Sequence, residues 1–190
     1  MDFSQIFKKL TAKHCAFIGI FFWATAFVIT KVVLKEVDAM SLGVLRYFFA
    51  SIIVIFILIK KKIPFPNLKD IPAFIFAGFS GYAGYIVLFN IATVLSSPST
   101  LSVINALAPA ITAIIAYFMF NEKIKLIGWL AMGISFCGIL VLTLWNGTLT
   151  INKGVLYMLL GCLLLSTYNI SQRYLTKKYS SFSVSMYSLL

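Results

Sequence analysis

Apolar residues run in blocks of about twenty along almost the whole chain, and polar residues gather between the blocks instead of alternating with them. At about 1.5 Å per helical residue, such a block matches the ~30 Å hydrocarbon core of a bilayer. The pattern predicts six complete spans, near positions 15–34, 42–59, 71–93, 100–120, 126–145 and 154–172, with Phe182 to Leu190 opening a seventh. Backbone groups in lipid must be satisfied within the segment, so the expected class is an all-α polytopic membrane protein. The first block follows Lys8, Lys9 and Lys13 as a signal peptide would, but its apolar run is too long and no small-residue cleavage site follows. It is expected to stay as an anchor.

Composition agrees with this pattern. Hydrophobic residues make up 61% of the chain and charged residues 11%, and the mean hydropathy is +0.99, a surface that a soluble domain would bury only with difficulty. The charges also orient the spans, because positively charged loops stay on the cytoplasmic side. An inside N-terminus places twelve basic residues in the cytoplasm: Lys8, Lys9, Lys13, Lys60, Lys61, Lys62, Lys69, Lys123, Lys125, Arg173, Lys177 and Lys178. Only Lys35 and Lys153 then fall in outside loops. The expected location is the cytoplasmic membrane, and the net charge of +11 reflects topology and contact with the lipid bilayer rather than a nucleic-acid footprint.

Within the apolar blocks, the polar exceptions are the candidate chemistry. Pro109 lacks the N–H that would bond the Asn105 carbonyl four residues earlier, so the fourth span should bend there with a polar group exposed. Two readings stay open. One is a kink satisfied by Thr112, Ser102 or a neighbouring helix, and the other is a kink that faces a watery cavity. Lys31, Arg46, Asn90 and Asn105 come from four spans and lie about three to six residues inside one boundary, roughly 5–9 Å deep, forming a polar tier. Arg46 and Lys31 are candidate contacts for a carboxylate or phosphate. The alternatives are snorkelling to headgroups or pairing with Glu36 and Asp38. Trp23, near the middle of the first span, and Tyr82 and Tyr85 on the third are candidate cavity-lining aromatics, with core packing as the alternative. Trp129 and Trp145 read as an interfacial belt.

Other features read as structural. Gly78, Gly81 and Gly84 suit close helix approach. Cys15, Cys137 and Cys162 lie at or inside spans without metal spacing. Glu122 belongs to a short turn whose Lys123 favours the dipole of the preceding helix. Asn146-Gly147-Thr148 matches a glycosylation acceptor too short to carry weight. All five acids, Asp2, Glu36, Asp38, Asp70 and Glu122, fall at ends or in loops, so no deep carboxylate is offered for ion coupling. The sequence shows no nucleotide-binding loop, metal cluster or nucleophile–base pair, so neither an enzyme nor a cofactor is expected.

The chain also repeats itself. "GIFFWATAFVITKVVLKEVDAMS" overlays "GCLLLSTYNISQRYLTKKYSSFS", matching Gly19 with Gly161, Thr25 with Thr167, Lys31 with Arg173, Lys35 with Lys177 and Ser41 with Ser183. The period implies five spans per unit, and an odd unit reverses its direction when repeated, which is a transporter architecture with its site between the halves. "FWATAFVITKVVL", "LRYFFASIIVI" and "LFNIATVLSSPSTLSVINALAPAITAIIAYFMFNEKIKLIGWLAMGISFCGILVL" resemble the EamA-type proteins of the drug/metabolite transporter superfamily. "GVLYMLLGCLLLSTYNISQRYLTKKYSSFSVSMYSLL" resembles the start of a second repeat. The resemblance implies a ten-helix fold, with residues 1–145 as the first five-span repeat and 146–190 as an incomplete second. It also implies secondary transport of a small-molecule substrate (a metabolite, amino acid or drug) by alternating access. The seventh span is too short to cross, so the chain reads as truncated. A non-transporting scaffold or accessory subunit, an inactive fragment, or a homodimer completed by self-assembly are the alternatives.

Overall fold

A computed structural model describes residues 12–121, 124–145 and 152–190. The expectations that rest on Asp2, Lys8, Lys9, Glu122, Lys123 and the Asn146-Gly147-Thr148 triplet, and on the side chains of Lys13, Cys15 and Trp145, lie outside the described residues.

Nine α-helices are described: α1 (Ala12–Val33), α2 (Ala39–Lys60), α3 (Ile71–Gly78), α4 (Gly84–Leu95), α5 (Pro98–Asn105), α6 (Ala108–Phe120), α7 (Leu126–Trp145), α8 (Lys153–Leu175) and α9 (Ser181–Leu189). A 3-10 turn, Leu68–Asp70, leads into α3, and a π-helical turn, Phe79–Ala83, joins α3 to α4. Each expected span coincides with helix. By length and composition, four described segments can cross a membrane: Ala39–Lys60, Leu68–Leu95, Pro98–Phe120 and Lys153–Leu175. α1 and α7 run for 22 and 20 residues, with described apolar stretches Phe17–Val33 and Leu126–Gly138.

The helices run up and down between two ends. The head end gathers the close of α1, the start of α2, the close of α4 and the starts of α5 and α8; the foot end gathers the closes of α2, α6 and α8. Side chains punctuate the turns. Asp38 Oδ1 accepts from the N–H groups of Met40 and Ser41, Ser97 Oγ from Thr100, Asn152 Oδ1 from Gly154 and Ser180 Oγ from Ser183, each satisfying a donor that helix geometry leaves orphaned. The hydrogen bonds from Ser41 hold the Asp38 carboxyl below its usual range.

α8 lies along α4, close to α5 and α6. The main core joins Phe27, Tyr85, Ile86, Phe89, Leu101, Met158 and Cys162; a smaller one joins Phe74, Ala77, Leu175 and Val184. Two glycines permit this closeness. A Cβ on Gly154 would lie 2.3 Å from Ser96 Oγ and 3.0 Å from the Ala92 carbonyl oxygen, and one on Gly81 would lie 2.3 Å from the Tyr168 ring. Outward faces stay apolar and uncovered, as at Phe17 (73% exposed) and Ile59 (72%), which suits contact with lipid.

The overlay read from the sequence has a counterpart in the backbone. The α1–α2 turn bonds Leu34 N–H to Thr30 O (2.9 Å), Lys35 to Val32 (3.2 Å), Glu36 to Val33 (3.0 Å), Val37 to Val33 (3.0 Å) and Leu42 to Asp38 (3.0 Å). The α8–α9 turn bonds Thr176 to Gln172 (2.8 Å), Lys177 to Tyr174 (3.3 Å), Lys178 to Leu175 (3.0 Å), Tyr179 to Leu175 (3.0 Å) and Val184 to Ser180 (3.0 Å). Every pair is related by the spacing that carries Gly19 to Gly161. Thr25 and Thr167, matched by the same spacing, both donate to the carbonyl three residues back. The first turn lies at the head end and the second at the foot.

Candidate functional site

The fourth span is broken where the proline stands. α5 ends at Asn105 and α6 begins at Ala108, and between them Ala106 N–H bonds Ser102 O and Leu107 N–H bonds Ile104 O, both at 3.0 Å. α8 supplies donors to the break. Cys162 Sγ reaches Ile104 O at 3.5 Å, and Ser166 Oγ donates to Ala108 O at 3.1 Å; Thr112 Oγ1 donates to the same carbonyl at 2.8 Å. A kink in an apolar helix is thus held by polar groups of a neighbour, as lipid surroundings require.

Beside this break lies a cavity of about 920 Å³ between α1, α5, α6, α7 and α8. Asn105 and Pro109 line it from the break, Trp23 from α1, and Asn169 and Arg173 from α8. Asn105 Oδ1 accepts a long contact from Cys162 Sγ at 3.8 Å, and Asn169 Nδ2 reaches Thr112 Oγ1 at 3.4 Å. The Trp23 ring, 49% exposed, stacks on buried Tyr85 with centroids 6.2 Å apart and planes 21° apart. The Arg173 guanidinium lies 5.2 Å from the Phe120 ring centroid at the foot end. Among the described lining residues there are amides, hydroxyls, an indole and a cation but no carboxylate. Such walls suit an uncharged or amphipathic solute with an apolar body and a few polar atoms.

The other sequence candidates are placed elsewhere. Lys31 neither reaches outward nor meets Asp38, whose carboxylate caps α2. Its ammonium donates to the carbonyls of Thr93, Val94 (3.1 Å) and Ser96 (3.0 Å) at the close of α4. A cation at a helix C-terminus meets both orphaned acceptors and the negative end of the dipole. Arg46 Nη2 donates to buried Thr30 Oγ1 at 3.0 Å, and Asn90 Nδ2 donates to Ala39 O at 2.9 Å. Asn152 completes this head-end seam: its amide donates to Leu95 O at 2.8 Å, while its Oδ1 accepts from Ser96 Oγ at 2.6 Å. Of the four-residue tier, then, Lys31, Arg46 and Asn90 tie helix to helix, and Asn105 faces the cavity.

Tyr85 sits behind Trp23 in the core. Tyr82 lines a second cavity of about 570 Å³ between α2, α3 and α9. Its hydroxyl meets Tyr168 OH at 2.8 Å, and its carbonyl accepts from Tyr47 OH at 3.2 Å. Of the cavity residues, sequence reasoning passes over Asn169 and offers Ser102 and Thr112 only as partners for the kink. Arg173 enters the sequence reading as a cytoplasmic charge and as the repeat partner of Lys31, and not as a cavity residue. The overlay held the missing signal, because it sets Asn169 against Phe27 and Arg173 against Lys31.

Comparison with known proteins relates the chain's sequence to membrane transporters. A model described as the EamA-like transporter family matches residues 12–144. The "Uncharacterized transporter YdfC" of Bacillus subtilis (strain 168) is 29% identical over 172 residues, covering 90% of this chain and 56% of that protein. The "Probable terminal-alkyne amino-acid exporter" of Streptantibioticus cattleyicolor is 22% identical over 167 residues, covering 88% of this chain and 56% of that one. The chain therefore spans about half the length of these curated relatives. No solved structure matches it.

Proposed function

The chain belongs to the EamA-like transporter family, and from that premise we propose that it supplies the first five-span unit and the opening of the second to a secondary transporter. The transporter moves a small metabolite, amino acid or drug across the cytoplasmic membrane by alternating access. The observation that carries this reading is the cavity at the broken fourth span, where Asn105 and Pro109 border a space between helices that is open on one side and mostly apolar with a few polar groups. In this reading Trp23, Asn105 and Pro109 line the solute route and Tyr85 backs it, while Tyr82 belongs to the second cavity. Lys31, Arg46 and Asn90 hold the head-end wall in place. The foot end, which carries Lys60, Lys61, Lys62, Lys125, Lys177 and Lys178, faces the cytoplasm.

The relative named as an amino-acid exporter makes amino acids the first solutes to try. Proteoliposomes carrying the complete transporter of which this chain forms part, loaded with labelled leucine, phenylalanine or an alkynyl amino acid, test the reading. Saturable counterflow that drops with Asn105→Leu supports it. Flat traces for a correctly inserted protein, across a broad solute panel, leave a non-transporting scaffold in its place.

A further inference from the structure

The second cavity is a groove that runs from the foot end into the bundle. Ile71, Ile75, Phe79 and Ala83 line it from α3 and the π-helical turn, spaced by four residues as one helical stripe. Tyr47 and Ser51 line it from α2, and Tyr187 to Leu190 from α9. From Ile71 to Ala83 it covers roughly 18 Å at 1.5 Å per residue, about the depth of one leaflet of a ~30 Å hydrocarbon core. Ile75 and Phe79 are exposed while Phe74 is buried, so the groove opens sideways, where lipid lies. A helix about 10 Å across and of that length would need about 1,400 Å³. The groove holds about 570 Å³, which suits a flexible chain.

Lysines surround the foot-end mouth of this groove. The turn that closes α2 carries Lys60, Lys61 and Lys62, then Phe65 and Pro66, which line the groove. Tyr187 ties that turn to α9: its hydroxyl donates to Ile63 O at 3.1 Å, and its ring meets Phe65 edge to face at 5.6 Å. The Lys61 ammonium lies 4.6 Å from the Phe182 ring centroid of α9. Lys62 is exposed and takes a φ of 49°, a left-handed position that favours glycine. Lys69 is exposed in the turn leading into α3, and the carboxylate beside it, Asp70, is already bonded by Lys178 and Tyr179. The mouth is therefore cationic, and the groove behind it is largely apolar. We propose that the groove seats one anionic phospholipid of the foot-side leaflet, with an acyl chain along Ile71, Ile75 and Phe79 and the phosphate held by Lys61 and Lys62. The lipid bridges α2, α3 and α9 and holds α9 against the bundle. Its site is separate from the large cavity, whichever solute that cavity passes.

The test uses the 190-residue chain in a neutral detergent, mixed with dioleoyl phosphatidylglycerol or dioleoyl phosphatidylcholine, and counts retained lipid by native mass spectrometry. Phosphatidylglycerol should saturate at a single molecule per chain. Phosphatidylcholine, with the same acyl chains, should bind at least about tenfold more weakly, the scale of two lysine–headgroup attractions. Lys61→Gln combined with Lys62→Gln should erase that preference and leave phosphatidylcholine binding as it was. Ser51→Phe, which fills the groove and keeps the lysines, should remove the retained lipid; Ala83→Leu, at an exposed lining position, repeats this test if the phenylalanine lowers the melting temperature. Lys177→Gln, whose ammonium lies over the Phe120 ring away from the groove, should change nothing. Equal retention of the two lipids, a loss with Lys177→Gln as large as with the Lys61 and Lys62 pair, or undiminished binding in the groove-filling variants would each overturn the proposal.

Discussion

The head-end seam and the cavity are built from the same residue types, yet their polar atoms have opposite surroundings. At the seam, Lys31, Ser96 and Asn152 bond carbonyls and side chains of neighbouring helices. In the cavity, Asn105, Asn169 and Arg173 line open space about 920 Å³ in volume. Residue type alone therefore does not mark function in this membrane protein. What separates the two regions is exposure: the seam residues join helix to helix, whereas Asn105, Asn169 and Arg173, each with a protein contact of its own, also border open space.

The strongest way to break this contrast is at its two cations. Lys31→Leu removes charge-assisted bonds to three carbonyls and should destabilise the chain by about 2–3 kcal/mol. Arg173→Leu, at an exposed position, should stay within about 0.5 kcal/mol. Thermal unfolding in detergent reads both. Equal losses would mean that the two cations do the same work in the isolated chain and that the contrast is false.

A second comparison probes packing. Gly154→Ala drives a Cβ toward Ser96 Oγ and the Ala92 carbonyl in the seam, and overpacking of that kind costs about 1–3 kcal/mol. Gly133→Ala on α7 meets open space and should be neutral or stabilising by up to about 1 kcal/mol, the helix-propensity difference. A seam that absorbs the methyl without loss would be softer than its close contacts imply.

Asn105→Leu should leave stability within about 1 kcal/mol, because its recorded side-chain bond is a weak thiol contact, while lowering transport at least several-fold. Pro109→Ala returns an N–H to the helix and lets the break close on the Asn105 carbonyl. If Pro109→Ala alone reduces transport and Asn105→Leu is silent, the break matters as a hinge and the amide does not touch solute.

These predictions depend on features that were unequally visible before the structure. The spans were legible because bilayer thickness imposes a length on apolar runs, and the break at Pro109 because proline removes a donor wherever it stands. Lys31 as a helix cap was not, because its acceptors lie more than sixty residues away, at Thr93 to Ser96. Asn90 was hidden for the same reason: its acceptor, Ala39 O, belongs to another helix. The π-helical turn at Phe79–Ala83 has no local cue beyond glycines; a Tyr168 ring pressed on Gly81 and a Tyr47 hydroxyl on the Tyr82 carbonyl accompany it. Local rules of helix, length and charge read well from letters, and contacts between distant helices do not.

The smallest effect is expected at the foot-end rim, where loops before α3 and after α8 meet. Lys178 Nζ pairs with Asp70 Oδ1 at 2.8 Å, and Tyr179 OH donates to Asp70 Oδ2 at 2.8 Å while accepting from Asn67 N–H at 3.1 Å. The Lys178 side chain is half exposed, so water competes for this pair as it does not in the seam. The hydrogen bond to Asp70 raises the Lys178 pKa above its usual 10.5. A raised lysine pKa adds stability that is fully present below the unfolded-state value and is lost as pH climbs through the folded one. Lys178→Gln should therefore lower the melting temperature slightly at pH 7, by an equal amount at pH 9, and by less once the pH exceeds 10.5. Added salt should shrink the same difference, since exposed pairs are screened. A deficit that matches Lys31→Leu and ignores both pH and salt would mean that the rim is as tightly built as the seam, and that being tied to protein does not distinguish the two ends of this bundle.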